Sequence, residues 1–172
     1  MASAKQLTKG TSYFEQIKWA LENYAAPTTL GTDSPLAAPY FLGAALHGVT
    51  PSAAVRGAVL CTEIDKAVTS LWGGPLPTDA QAMMAAVAAE AESQGRGGRY
   101  DCLILELNYF KRCYKPAPKS QAEIYNDILH ISRPTHDRHL HDAVQRLGAL
   151  LLQRVRPAIR PEKPTLQHDL IG

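Results

Sequence analysis

Cysteine is scarce: Cys61, Cys102 and Cys113 are the only three in 172 residues, an odd number with no Cys-x-x-Cys pair. Such usage builds no disulfide framework and fits a reducing cytoplasm. Cys61 and Cys102 sit in apolar runs and read as small core residues. No apolar run approaches the ~20 residues that a membrane span needs, so no membrane association is expected. The opening MASAKQLTKG has no apolar segment after its lysines, so no secretory signal is expected either. Period-two alternation, the mark of half-buried strands, is nearly missing. So are a GxxxxGK phosphate loop, a GxSxG nucleophile turn and HExxH. Gly95-Arg96-Gly97-Gly98-Arg99 lacks the preceding strand that a nucleotide loop requires and reads as a hinge. Neither an enzyme nor a cofactor is expected.

What is present is apolar content of 45% with 20% charged residues, enough for a folded core. The net charge of +2 is small, but it is unevenly spread. Residues 1–93 carry five Lys or Arg against eight Asp or Glu, whereas residues 94–163 carry thirteen against seven. The positive field is thus expected in the C-terminal part, where it suits a polyanion.

Nearly every apolar pattern has a helical period. Ser12 and Glu15 have capping-box spacing, and Phe14, Ile17, Leu21 and Tyr24 follow as a stripe with Trp19 beside it. Ala26 to Asp33 reads as a connection. Ser34-Pro35 starts a helix carrying Leu36, Tyr40, Phe41 and Leu46 to about Gly48. A core helix from Ser52 to Trp72 carries Val55, Val59, Leu60, Ile64, Val68 and Leu71 and stops at Gly73-Gly74. Thr78 or Asp79 caps an alanine-rich helix with Met83, Met84 and Val87. Tyr100 to Tyr114 carries Leu103, Ile104, Leu107 and Phe110. A basic connection, Lys115-Pro116-Ala117-Pro118-Lys119, leads to a short helix after Ser120, a three-residue turn, and a final helix from about Pro134 to Val155. The fold class is therefore all-α: a multi-helix bundle ending in a helix-turn-helix. Residues 1–94 form a helical module for dimerisation or partner binding, 95–156 the helix-turn-helix domain, and 157–172 a free tail.

The functional argument rests on Gln121 to Leu152. Leu129 and Ile131 would clamp the turn, Ser132 would cap the second helix, and Pro134 would fit its first turn. Leu140, Ala143, Val144, Leu147 and Leu151 would hold that helix to the core. Arg133, Asp137, Arg138 and His141 remain outward, at the place that enters the major groove in helix-turn-helix proteins.

The pattern Leu-x-Ile-Ser-Arg-x-Thr-x-x-Arg-x-Leu-x-x-Ala-x-x-x-Leu, with Leu-x-Leu-x-Tyr-Phe from Leu105 to Phe110 before it, resembles the helix-turn-helix of sigma-factor region 4 and related bacterial regulators. The likeness covers about Tyr100 to Val155. Further upstream, Ala20-Leu21-Glu22-Asn23-Tyr24, Leu30-Gly31 and Ser34-Pro35-Leu36-Ala37 are similar to the front half of bacterial proteins that pair such a segment with a region-4-like domain, alone or fused to signalling ATPases. The chain departs from the pattern at His130, where the turn usually has glycine, at Asn126, at His136, where an apolar residue is usual, and at Asp137. No promoter-melting segment is present.

The resemblance implies sequence-specific binding to double-stranded DNA in transcriptional regulation or DNA-site recognition. RNA polymerase or another DNA-bound complex is a further partner, and two copies act together. Arg133 and Arg138 would reach guanine edges or phosphates. Thr135, His136, Asp137, His139 and His141 lie along the same helix. Lys115, Lys119, Ser120, Gln121 and Ser132 stand where positive charge and free backbone N–H groups suit phosphates. The rival is a non-catalytic adaptor for RNA polymerase or a signalling ATPase, which would show an apolar patch here or carboxylates breaking up the positive face. A third possibility is a helical hairpin in an ordinary bundle with solvated arginines. His136 and His139 have the spacing of a metal pair, but no second cluster supports a site. Cys113, beside Arg112 and near Lys115, has the neighbours of a low-pKa thiol, although such cysteines are mostly inert.

Overall fold

The computed structural model of the protein describes residues 12–33, 36, 52–95 and 97–159, with side chains described as far as Gln153. Among the described residues every regular element is helical, so the all-α class holds. Helix α1 (Tyr13–Glu22) starts at Ser12, whose hydroxyl accepts from the Glu15 N–H at 3.3 Å. That bond satisfies one of the donors a helix start leaves open. Its inner face is Ile17, Trp19, Ala20 and Leu21.

The expected connection after it is instead a second helix, α2 (Pro27–Asp33). Pro27 suits its first turn, and Leu30 is fully buried. Gly31, which read as a turn signal, is a point of close approach. A Cβ there would stand 1.7 Å from the Ala53 carbonyl oxygen, and one on Gly57 would stand 1.6 Å from that of Pro27. Two glycines thus let α2 and α3 (Ala53–Trp72) cross backbone to backbone.

Helix α3 is capped by Ser52 and closed by Gly73 at φ 89°, in the left-handed region that glycine enters freely. Leu60, Ile64, Ala67, Val68 and Trp72 are buried. Val55, expected with them, is 49% exposed. The first turns of α3 meet α2 through Gly57, and Val55, two residues away and roughly 200° round the helix, points outward. Val59 and Leu71 are half-buried.

Helix α4 (Ala80–Gln94) is capped by Asp79, which accepts from the Ala82 N–H at 2.8 Å. It reaches the core through Met83 and Val87, with Met84 partly buried. The expected hinge is a packed helix start. A Cβ on Gly98 would lie 2.1 Å from the Leu71 carbonyl oxygen, and the Glu90 carboxylate accepts from the Arg99 N–H at 3.4 Å.

Helix α5 (Gly98–Leu105) runs on into a π-helical turn, Glu106–Phe110, and stops at Lys111, which is left-handed at φ 53°. Leu103, Ile104, Leu107 and Phe110 are all buried, but the helix ends before the expected Tyr114. Helix α6 (Arg133–Ile159) extends beyond its expected end at Val155. Ala143, Val144, Leu147 and Leu151 join one hydrophobic core with residues of α1, α3, α4 and α5.

The helix expected over 34–48, with Tyr40 and Phe41, lies outside the described residues, apart from Leu36, which packs partly against the core. Residues 160–172 also lie outside them. Among the described residues no helix is long and apolar enough to cross a membrane.

Candidate nucleic-acid interface

The chain reaches this region through a fixed path. The buried Glu106 carboxylate accepts from the backbone N–H groups of both Arg112 and Cys113. The Arg112 guanidinium lies over the rings of Phe110 and Tyr24 at 4.9 and 5.0 Å. It donates to the Tyr24 hydroxyl at 2.8 Å and to Asp65 at 3.0 Å. These contacts tie the exit of the π-helical turn to α1 and α3. Burial, and behind it the Glu106 carboxylate, push the Cys113 thiol above its ordinary value. The reactive low-pKa thiol weighed from its basic neighbours is therefore not formed: desolvation outweighs Arg112 and Lys115.

The chain is next helical from 121 to 128, with π-type bonding over Glu123–Ile128. The Ser120 hydroxyl accepts from the Glu123 N–H at 3.2 Å, and the Glu123 carboxylate accepts from the Lys119 N–H at 2.8 Å. This reciprocal cap places the protein's own carboxylate where a phosphate was expected. Ile124 is buried, while Ile128 and Leu129 pack against the core, so the turn is clamped from below. His130 adopts φ 51°, the left-handed conformation that glycine enters most freely. Histidine is among the residues that tolerate it. Ile131 is half-buried, and its N–H donates back to the Tyr125 carbonyl at 2.8 Å. The Ser132 hydroxyl then accepts from the Thr135 N–H at 3.3 Å, and α6 begins.

On α6, Arg133, Pro134, Asp137, Arg138 and His141 are exposed. Arg138, 200° or so round the helix from His136, lies opposite the buried stripe. Arg133 is 71% exposed in its side chain and stands 3.9 Å from the Asp137 carboxylate, a long and weak ion pair. The Thr135 hydroxyl is bonded to that of Ser132 at 2.8 Å. His141 is half stacked on Phe14 of α1, with ring centroids 4.3 Å apart. His139 meets the edge of Tyr100 at 5.4 Å.

His136 needs a correction. Expected among the contact residues, it is 0% exposed and cannot reach a ligand. It stands at helical spacing from the buried Ala143, Val144 and Leu147 and goes inward with them. Its ring nitrogens are both engaged, Nε2 with the Asn108 amide nitrogen at 3.2 Å and Nδ1 with Asp137 at 3.1 Å. His136 and His139 therefore offer no shared open face to a metal.

The basic surplus is smaller at the surface than in the sequence. Arg99 pairs with Glu90, Arg112 with Asp65, Arg133 with Asp137 and Arg146 with Asp101. Lys115 is exposed and donates to the Lys111 carbonyl at 3.0 Å. Arg138 and Lys119 are exposed with no carboxylate partner among the described residues.

Sequence reasoning did not anticipate α1 as a neighbour. A cleft of about 350 Å³ runs between α1 and α6, lined by Phe14, Lys18, Tyr109, Gln121, Asp137 and His141, among others. Periodicity alone places Phe14 and Lys18 on a helix but does not say which helix they will meet.

Comparison with protein-family models, curated proteins and solved structures finds no match. The functional reading therefore rests on this geometry and on the sequence pattern.

Proposed function

We propose that the protein binds double-stranded DNA through a helix-turn-helix made of residues 121–128, the turn at 129–132 and the first turns of α6. It acts without catalysis in transcriptional regulation or DNA-site recognition, as a homodimer in the cytoplasm. The observation that carries the reading is the turn itself. A left-handed His130 and a Ser132 cap start a long helix whose outward side chains include Arg133 and Arg138. Two arginines at the start of such a helix match the two-pronged recognition of guanine O6 and N7. Lys119 and Gln121, exposed at the entry to the preceding helical piece, supply phosphate contacts.

The test is binding to a mixed duplex library at two salt concentrations, with the Arg133→Ala, Arg138→Ala double variant alongside the parent. Selective binding that weakens steeply with salt and falls in the variant is expected. No binding by the parent at low salt overturns the reading.

One observation favours a second reading. The carboxylates of Glu123 and Asp137 interrupt the positive strip, which is the pattern expected of an adaptor that docks on RNA polymerase or a signalling ATPase. Against it, the exposed large apolar side chains among the described residues are Tyr13 and Val55, and the Tyr13 hydroxyl is bonded to the Gly148 carbonyl at 2.6 Å, about four turns along α6 from Ser132.

A further inference from the structure

We propose that Asp137 is the base-reading acceptor of the recognition helix, aimed by the buried His136 and the half-buried Asn108 behind it. The DNA site then holds a G·C pair whose cytosine N4 amino group meets this carboxylate in the major groove. The inference rests on the DNA-binding reading above.

His136 and Asp137 are sequence neighbours with opposite fates: the first is 0% exposed in its side chain, the second 56%. The hydrogen bonds between them have a direction. The Asn108 amide nitrogen donates to the Ile104 carbonyl at 2.8 Å and also faces His136 Nε2 at 3.2 Å. An amide nitrogen has two hydrogens and no acceptor lone pair, so Nε2 must accept. The reverse amide orientation would set oxygen against the Ile104 carbonyl oxygen. The imidazole proton is therefore on Nδ1, 3.1 Å from Asp137 Oδ1, and it donates to the carboxylate. The core thus fixes one oxygen of an exposed acid, while among the described residues Oδ2 has the long Arg133 contact at 3.9 Å.

A carboxylate at this place is a poor choice for phosphate affinity and a good one for discrimination. It repels the backbone of every duplex alike and gains only where a base edge donates. Acidic side chains on recognition helices accept from the cytosine amino group, and guanine O6 and thymine O4 offer them no donor. With arginines on guanine and the acid on the cytosine amino group, a site of neighbouring G·C pairs follows. The alternative is that Asp137 only satisfies the buried His136 N–H, and then it would carry no base preference.

The experiment is in vitro selection from a randomised duplex pool, with the full chain as parent and as Asp137→Ala, His136→Leu and His136→Asn. The parent is expected to enrich a G·C pair over an A·T pair at one position. Asp137→Ala, a change at an exposed site, should lose about tenfold discrimination at that position alone. It should also bind random duplex more tightly at low salt. His136→Leu removes the donor and should blur the same position, whereas His136→Asn sets an amide nitrogen near the place of Nδ1 and should restore it. If His136→Leu does not fold, the Asp137→Ala comparison still decides.

An unchanged preference in Asp137→Ala, or an A·T pair enriched at the Asp137-dependent position, overturns the proposal while leaving DNA binding intact. No enrichment by the parent removes the DNA-binding reading and this inference with it.

Discussion

At the crossing of α2 with α3, the chain meets itself with no side chain between, because Gly31 and Gly57 each face the other helix's carbonyl at under 2 Å from a notional Cβ. At the turn before α6, two helical segments are held by one left-handed histidine, one serine hydroxyl and a few apolar side chains reaching down. The first contact has no slack, since carbonyl oxygens cannot yield as side chains can. The second holds its outer surface by few and weak contacts, such as the 3.9 Å Arg133–Asp137 pair, and leaves Arg138 exposed. Substitution should thus cost stability at the crossing and change binding at the turn.

The sharpest way to break this comparison is Gly57→Ala. The added methyl would stand 1.6 Å from the Pro27 carbonyl oxygen and force α2 away from α3. Alanine's better helix propensity returns about 1 kcal/mol, against an overpacking cost of about 3 kcal/mol or more, so a net loss of about 2 kcal/mol is expected. Urea unfolding followed by circular dichroism measures it. A variant as stable as the parent would show that the crossing can open freely.

Next in size is Arg146→Ala, an exposed residue of α6 whose guanidinium reaches the buried Asp101. Asp101 is 4% exposed and takes two bonds from Arg146, at 2.7 and 2.8 Å. Burial raises the Asp101 carboxyl above its ordinary value despite the pull of Arg146. A raised folded-state value means that its favourable contribution is present at low pH and lost as pH rises through that value. Removing Arg146 raises the value further. The variant should therefore lose about 1–2 kcal/mol at pH 7, discounted because Arg146 is half exposed, and progressively less as pH falls towards about 4. Denaturant midpoints across that range check the sign, and a loss that grows on acidification would contradict it.

At the turn the effects should be smaller and opposite in sign for two neighbours. His130→Gly relieves the left-handed backbone and is expected to stabilise by about 0.5 kcal/mol, the relief being partly offset by glycine's freedom in the unfolded chain. Ser132→Ala removes the cap of α6 and should cost about 1 kcal/mol. Paired thermal melts read both, and equal signs would mean that the cap and the turn are not separate devices.

The sequence announced most of the local devices because they are local. Ser12, Ser52, Asp79 and Ser132 each accept from a backbone N–H three residues on, a relation that spacing alone encodes. Gly73 was legible for the same reason, as a stop where glycine turns left-handed, whereas His130 stood out only as a departure from the resembled pattern. What spacing could not encode is which helix meets which. Gly31 and Gly57 are 26 positions apart, and nothing near either one says that a carbonyl will press against it. His136 read as a polar contact because its residue type is polar, yet its place in the apolar period sent it inward to Asn108. The period was the better guide there. The Phe14–His141 contact and the four carboxylate-paired arginines were equally hidden, since each joins distant parts of the chain or depends on a neighbour's rotamer.

The smallest expected change in stability belongs to Arg138→Ala, and it separates the two regions most cleanly. Arg138 is exposed, lies opposite the buried stripe of α6 and has no carboxylate partner among the described residues. Truncating it should leave unfolding within about 0.5 kcal/mol of the parent. If α6 reads DNA, the same change should weaken duplex binding and lower the steepness of its salt dependence by roughly one ion where the contact is to a phosphate. Where the contact is to guanine, discrimination at one position should fall while the salt slope barely moves. Fluorescence anisotropy with a labelled duplex at several salt concentrations distinguishes the two. An unchanged affinity with unchanged stability would leave Arg138 an ordinary solvated arginine and move the weight to the adaptor reading.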